Sequence, residues 1–497
     1  MSTKPHAPTI AGPYVVSVLM IVGVFLLVRL PSLLALPLFN DEAIYLRRAV
    51  RFPGMLRDTL EDGKLIQELV LAAILRLPFD ELVLGRLVSV LSGLGTLVAL
   101  VYAGRVLQSP RAGLIAAALY VMAPLLVLHD LLAIPDSLLT FISIFVITAS
   151  FRWATRERTG RREAALLGVL IGFAAMVKLT AVFLFWLPVL AVLTLTPRAQ
   201  WPARLALLRT ALIALLACMA LLSPWHYGGR ELHKAEFHTL PGRVGQLIEN
   251  TKMSAHSLLL YLPAPLLMIV ALAWMHRRRP PTNKVVFWLV LSSGAFIVTF
   301  LVAGATIFPR YLLPAYPLLL LASALYADRA WQEGRALQRT LVAAALTLAL
   351  AWNGFFAYQL WRDPLHAPLA PSDRQWYLGS WTAGYGLPEL HSWLAEQATS
   401  AAPITVVLHD RQRLIHIGTD LRLREYDDIQ LVTIDLVQDD ALAQLDALAR
   451  RRRVFIPIDE EERVAFAFES RFERAALKQT YPNPLGTMQF LVYEYTR

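Results

Sequence analysis

Residues 14–45 read YVVSVLMIVGVFLLVRLPSLLALPLFNDEAIY. The first part, Tyr14 to Leu36, is an apolar run long enough to cross a bilayer as a helix, which takes about 17 to 25 residues. It lacks the Ala-x-Ala end of a cleavable signal, so it is expected to stay as a span. The second part, Phe39-Asn40-Asp41-Glu42-Ala43-Ile44-Tyr45, sets two adjacent carboxylates just outside that span. It opens a short amphipathic segment, Ala43 to Phe52. Asn40 has the chemistry of a helix N-cap, which puts Asp41 and Glu42 in a first helical turn, where the dipole favours anions. That alone is a structural reason for the pair.

Outward from this stretch the chain keeps the same character. Of 497 residues, 56% are hydrophobic and only 17% charged, which excludes an ordinary soluble protein. Apolar length predicts about eleven spans, near 14–36, 83–104, 112–129, 137–151, 163–177, 179–196, 206–224, 256–275, 285–307, 311–327 and 340–359. The connections alternate. One set is short and rich in arginine: Arg105 and Arg111, Arg152 to Arg162, Arg198 to Arg209, Arg277 to Lys284, and Arg329 to Arg339. By charge bias these are cytoplasmic, which accounts for much of the net charge of +10 without nucleic acid. The other set is longer and mixed in charge: 37–82, 130–136, around Lys178, 225–255, around Arg310, and the tail. The expected topology is a multi-pass protein of the plasma (inner) membrane with a cytoplasmic N-terminus. The first outer loop, 37–82, is long enough for two interfacial helices, Ala43–Phe52 and Leu65–Leu77. The single cysteine, Cys218, allows no internal disulfide.

Pro364, Pro368 and Pro371 mark a linker after the membrane region, residues 1–360. Beyond it, 366–497 reads as a small extracytoplasmic α/β domain. Helices are expected at 387–399, 439–451 and 461–477, and strands at Ile404–Leu408, Leu421–Tyr426, Val454–Ile458 and Thr487–Tyr495.

Charge at the bilayer midplane marks transport paths, and the span centres read as almost free of it. Asp41, Glu42, Lys64, Asp130, Asp136, Lys178, His226 and Arg310 all fall at one rim. That favours chemistry at a membrane surface over ion-coupled transport.

Four motifs give the chain a resemblance. They are Asn40-Asp41-Glu42-Ala43-Ile44-Tyr45; Gly63-Lys64-Leu65-Ile66; Ile134-Pro135-Asp136-Ser137-Leu138; and Phe308-Pro309-Arg310-Tyr311-Leu312-Leu313-Pro314. In order and side they resemble the GT-C superfamily of polyprenyl-phosphate-sugar-dependent glycosyltransferases. The nearest branch is that of the protein O-mannosyltransferases (glycosyltransferase family 39) and the aminoarabinose transferase of lipid A. The second motif lacks the two prolines of the family's Lys-Pro-Pro-Leu. Pro224-Trp225 and the aromatic segment from Gln375 to Gly386 are similar to family features too.

The resemblance implies an α-helical polytopic fold and an inverting transfer of a hexose or pentose. The donor is a polyprenyl-phosphate sugar and the acceptor hydroxyl belongs to a lipid, glycan or protein. Asp41 is then the general base, with Glu42, Asp136 and Tyr45 supporting the acceptor. Lys64, Arg310 and Tyr311 hold the donor phosphate, for which a guanidinium is the better grip. No cofactor is certain, and a divalent cation (Mg or Mn) near Asp41 and Asp136 stays open. Structural readings stand beside these: membrane anchoring for Lys64, Lys178 and Arg310, capping for Asp136, and a plain turn for Gly384-x-Gly386. His226, His233 and His238 do not share a helical face, which argues against a metal site there. A lipid-linked-sugar flippase and a non-catalytic membrane scaffold are the competing functions.

Overall fold

The computed structural model describes residues 12–220, 240–262, 264–275, 282–303, 308–399, 402–409 and 413–496. His226, His233, His238 and Pro224-Trp225 lie outside the described residues. Among the described residues, seven helices are long and apolar enough to cross a membrane: Gly12–Arg29, Glu81–Val106, Asp136–Thr155, Arg198–Ala220, Lys284–Val302, Pro309–Glu333 and Ala336–Arg362. Two bent pairs, Pro110–Met122 with Pro124–Asp130 (65°) and Val244–Tyr261 with Leu266–Leu272 (105°), raise the count to nine if each is one span. The chain is a multi-pass membrane protein.

The other two expected spans, 163–177 and 179–196, are shorter apolar elements. Arg161–Val177 has 17 residues, and the next apolar stretch is a 3₁₀ segment, Leu179–Phe185, followed by Trp186–Leu195. Buried Lys178 separates them. The bend at residue 123 follows from Pro124. Ala123 is extended at φ −61°, ψ 120°, as a residue before proline prefers, and the helix restarts in a new direction. Pro309–Glu333 is the central element, with 94% of its span buried in the bundle. Close packing needs small residues: a Cβ on Gly168 would strike the Ala211 carbonyl, and one on Gly172 would lie 2.5 Å from Cys218 Cβ.

The first loop holds three helices, Asn40–Val50, Leu56–Asp62 and Leu65–Ile74, where two were expected. The N-cap is Phe39, so Asn40 is the first helical residue and caps nothing.

After Ala336–Arg362 the chain forms a five-stranded sheet in the order β2-β1-β3-β5-β4. The strands are β1 Ile404–His409, β2 Ile429–Ile434, β3 Arg453–Asp459, β4 Ala475–Pro482 and β5 Gln489–Tyr495. β1 runs parallel to β2 and β3, while β5 is antiparallel to β3 and β4. Alternation along the strands serves two faces. Val406, Phe455 and Val492 join an apolar core continuous with the membrane helices. Val407, Ile456 and Tyr493 join a second core under the helix Ala441–Ala449. Two expectations fail here. Leu421–Tyr426 is not a strand: its first half ends the helix Leu414–Leu423, and the strand follows at Ile429. The helix expected over 461–477 breaks into Glu460–Ala465 and Phe468–Arg471, and Ala475 already belongs to β4.

Candidate active site

Asp41 sits in the first turn of the Asn40–Val50 helix, and Arg310 opens the 3₁₀ turn Pro309–Ala315. The two meet at 2.8 Å. The guanidinium is packed among Phe39, Phe308 and Tyr311, with ring centroids 5.2–5.8 Å away. Its Nε is buried and, among the described residues, has no hydrogen-bond acceptor. Asp41 is 21% exposed. So the pair combines an unused guanidinium donor with a partly exposed carboxylate.

A second pair adjoins it. Lys178 Nζ lies 2.6 Å from Asp136 Oδ1 and 4.5 Å from the centre of the Tyr311 ring. Asp136 is the first residue of the Asp136–Thr155 helix, whose N-cap is Pro135, so its carboxylate binds Lys178 and is not a cap. Nor does Lys178 snorkel to water, since it is buried. Tyr311 joins the pairs, with the Arg310 guanidinium 5.8 Å and Lys178 Nζ 4.5 Å from the centre of its ring.

Lys64 stands slightly apart. Its Nζ is 2.8 Å from Asp62 and 4.8 Å from the centre of the Tyr45 ring. Tyr45 is one turn beyond Asp41 on the same helix, so Lys64 flanks the Asp41 face. Asp62 also takes Arg48 at 2.7 Å. Burial works to raise the Asp62 carboxyl, but Lys64 and Arg48 outweigh it and hold the group down to about 2.

Glu42 departs from its expected part. It is wholly buried and takes four hydrogen bonds: from Arg86 Nε (2.9 Å) and Nη2 (2.8 Å), from Phe39 N (3.0 Å) and from Ala133 N (2.7 Å). No lone pair is left for an acceptor substrate. Glu42 fixes the helix that carries Asp41. Asp130 is likewise structural, bound by Arg29, Tyr120 and Ser137.

Sequence reasoning missed Arg29 and Arg86. A cation inside an apolar run needs a carboxylate partner, and that signal was available. It also missed a joint made by the later chain. Asn40 N donates to the Thr382 carbonyl at 3.0 Å, and Phe39 bridges Ala383. Tyr377 packs against Phe39 at 4.8 Å and its hydroxyl is 3.1 Å from His129 Nε2. A Cβ on Gly384 would lie 2.5 Å from the Leu38 carbonyl oxygen, so that glycine admits the close approach. Gly386, at φ 84°, leads into the helix Leu387–Gln397; the glycines shape a turn, not a phosphate cradle. Nearby, Tyr261 donates to Asp373 at 2.5 Å. Burial pushes the Asp373 carboxyl up to about 7, against that bond and the charge of Arg310.

Asp41 and Asp136 each face a cationic side chain, and among the described residues no three His, Cys, Asp or Glu converge.

A family model described as dolichyl-phosphate-mannose-protein mannosyltransferase matches residues 65–226. Comparison with curated protein sequences gives no match. Two crystal structures of ArnT from Cupriavidus metallidurans share the fold at 15% identity. The one bound to undecaprenyl phosphate covers 97% of this chain and 98% of its own, with a TM-score of 0.58. The apo form covers 98% of each chain at 0.60. The archaeal oligosaccharyltransferase AglB from Archaeoglobus fulgidus, in complex with an inhibitory peptide and a dolichol-phosphate, matches at 11% identity. That match covers 95% of this chain and 74% of AglB, with a TM-score of 0.51. Over nearly its whole length the chain therefore shares the fold of the two ArnT structures.

Proposed function

We infer that the protein is a membrane glycosyltransferase that moves a sugar from a polyprenyl-phosphate donor to an acceptor hydroxyl, with inversion. The observation that carries this reading is the buried, unpartnered Arg310 Nε beside the 2.8 Å pair with Asp41. A phosphate entering the site takes that donor and competes with Asp41 for the guanidinium, which frees the carboxylate where the acceptor arrives. The acceptor oxygen bonds to the anomeric carbon while its proton passes to Asp41. The bond from that carbon to the phosphate oxygen breaks, and its electron pair leaves on polyprenyl phosphate. Phosphate is a good leaving group, so cations suffice and no strong acid is needed. Arg310 with Tyr311 holds the phosphate and Lys64 flanks it. Asp136 fixes Lys178 beside Tyr311, and Tyr45 lines the acceptor side. The match to ArnT bound to undecaprenyl phosphate supports the donor class.

The test is turnover of radiolabelled undecaprenyl-phosphate hexose and pentose by the purified full chain and by Asp41→Asn. Donor loss in the wild type alone, even as slow hydrolysis, is the expected result. Binding without consumption in both proteins overturns the reading in favour of a flippase or scaffold.

A further inference from the structure

A groove of about 990 Å³ opens between the helices Glu81–Val106, Asp136–Thr155 and Arg161–Val177. That is near the upper end of the roughly 300–1,000 Å³ range of ligand sites. It belongs to the far end of these spans. Arg152 follows Asp136 by 16 residues on one helix, a rise of ~24 Å. The walls are apolar, with Val98, Phe141, Phe145 and Leu166 among them. Val98 is 52% and Leu166 59% exposed, so the groove is open to lipid.

One end is different. Arg152, Trp153 and Arg156 line it together with Tyr102, over whose ring the Arg152 guanidinium stands at 5.3 Å. Among the described residues neither Arg152 nor Arg156 makes an ion pair through its side chain. Trp153 is buried, and among the described residues its Nε1 donor has no acceptor. Arg204 adds a third guanidinium behind them, donating to the carbonyls of Trp153 and Arg156. The carboxylate that lines this end, Glu163, accepts from the Gly160 N–H at 2.9 Å through one oxygen.

We propose that this groove binds an anionic phospholipid of the leaflet opposite the candidate active site. Acyl chains lie along the apolar walls, and the phosphate sits on Arg152 and Arg156 with the Trp153 indole as a further donor. Charge complementarity selects the headgroup: guanidinium forks match phosphate oxygens, and paired arginines favour net negative charge over a zwitterion. A free phosphate ion has no use for the walls. The polyprenyl donor needs its phosphate at the other end of the span, beside Arg310.

The experiment uses the purified full chain in detergent, with phosphatidylglycerol and phosphatidylcholine as probes, read by native mass spectrometry and by the shift in apparent Tm. The wild type is expected to retain phosphatidylglycerol selectively. Arg152→Gln with Arg156→Gln loses about tenfold or more of that affinity, with lipid-free Tm unchanged. Ala149→Trp fills the groove and loses both lipids. Equal retention of the two lipids, or full retention of phosphatidylglycerol by the double variant, overturns the proposal. So does its displacement by one equivalent of undecaprenyl phosphate, which assigns the groove to the donor tail, or by millimolar inorganic phosphate, which leaves an anion site alone.

Discussion

The molecule holds two kinds of acidic site, and two short stretches each contain one of both. Asp41 and Glu42 are neighbours, yet Glu42 is fully buried with four hydrogen bonds while Asp41 is accessible with one ion pair. Asp130 and Asp136 divide the same way: the first is held by Arg29, Tyr120 and Ser137, the second, among the described residues, by Lys178. A carboxylate whose lone pairs are filled by the fold serves the fold. One that keeps capacity can take a proton or orient a cation. On the proposed function, the comparison separates acids that hold the fold from acids free for chemistry.

The sharpest way to break it is Asp41→Asn. A positioned base contributes roughly 10²–10⁴-fold, so turnover should fall by that factor while apparent Tm barely moves. Next comes Glu42→Gln, whose expected effect is on folding. Removing one partner of a buried pair costs about 3–5 kcal/mol, read as lost Tm and lower yield. If Glu42→Gln folds normally but loses only turnover, the two acids have been sorted wrongly. Arg310→Lys keeps the charge and loses the fork. Its donor KM should rise about tenfold or more, with a smaller change in kcat.

A smaller effect concerns Asp373. Its folded-state carboxyl is raised to about 7, so folding favours the protonated form. That stability is full below the ordinary carboxylate range and is lost as pH rises through about 7. Apparent Tm of the wild type should decline over that window, and Asp373→Asn should flatten the decline. The smallest effect is at the joint between the first loop and the sheet. Asp420 pairs with Arg51 at 2.5 and 2.7 Å and with Arg47 at 3.2 Å. Because Arg51 is 43% exposed, Asp420→Asn should cost no more than about 1 kcal/mol.

The sequence carried much of this. Apolar length marked the membrane elements, and acid or base at one rim marked Asp41, Asp136, Lys178 and Arg310 before any contact was visible. Partner choice was less legible because it is decided across long separations. Arg86 meets Glu42 from another helix, and Lys178 meets Asp136 across 42 residues. Local pattern also misled. Leu421-Arg422-Leu423-Arg424 alternates like a strand, yet Leu414, Ile417 and Leu421 form one buried helical face, and packing of that face prevails. β4 is mostly exposed, so it carries little apolar pattern; its pairing with β5 defines it.

The grip of Thr382 and Ala383 on Phe39-Asn40 has a consequence for biosynthesis. The proposed base lies in the first tenth of the chain, while its clamp is 341 residues further on. At about 5–20 residues per second, roughly 17 to 70 s of translation separate the two. Until then the Asp41 helix lacks its backbone tether, and on the proposed function the nascent chain should not consume donor lipid. A chain ended after Arg362 should insert its spans and remain inert.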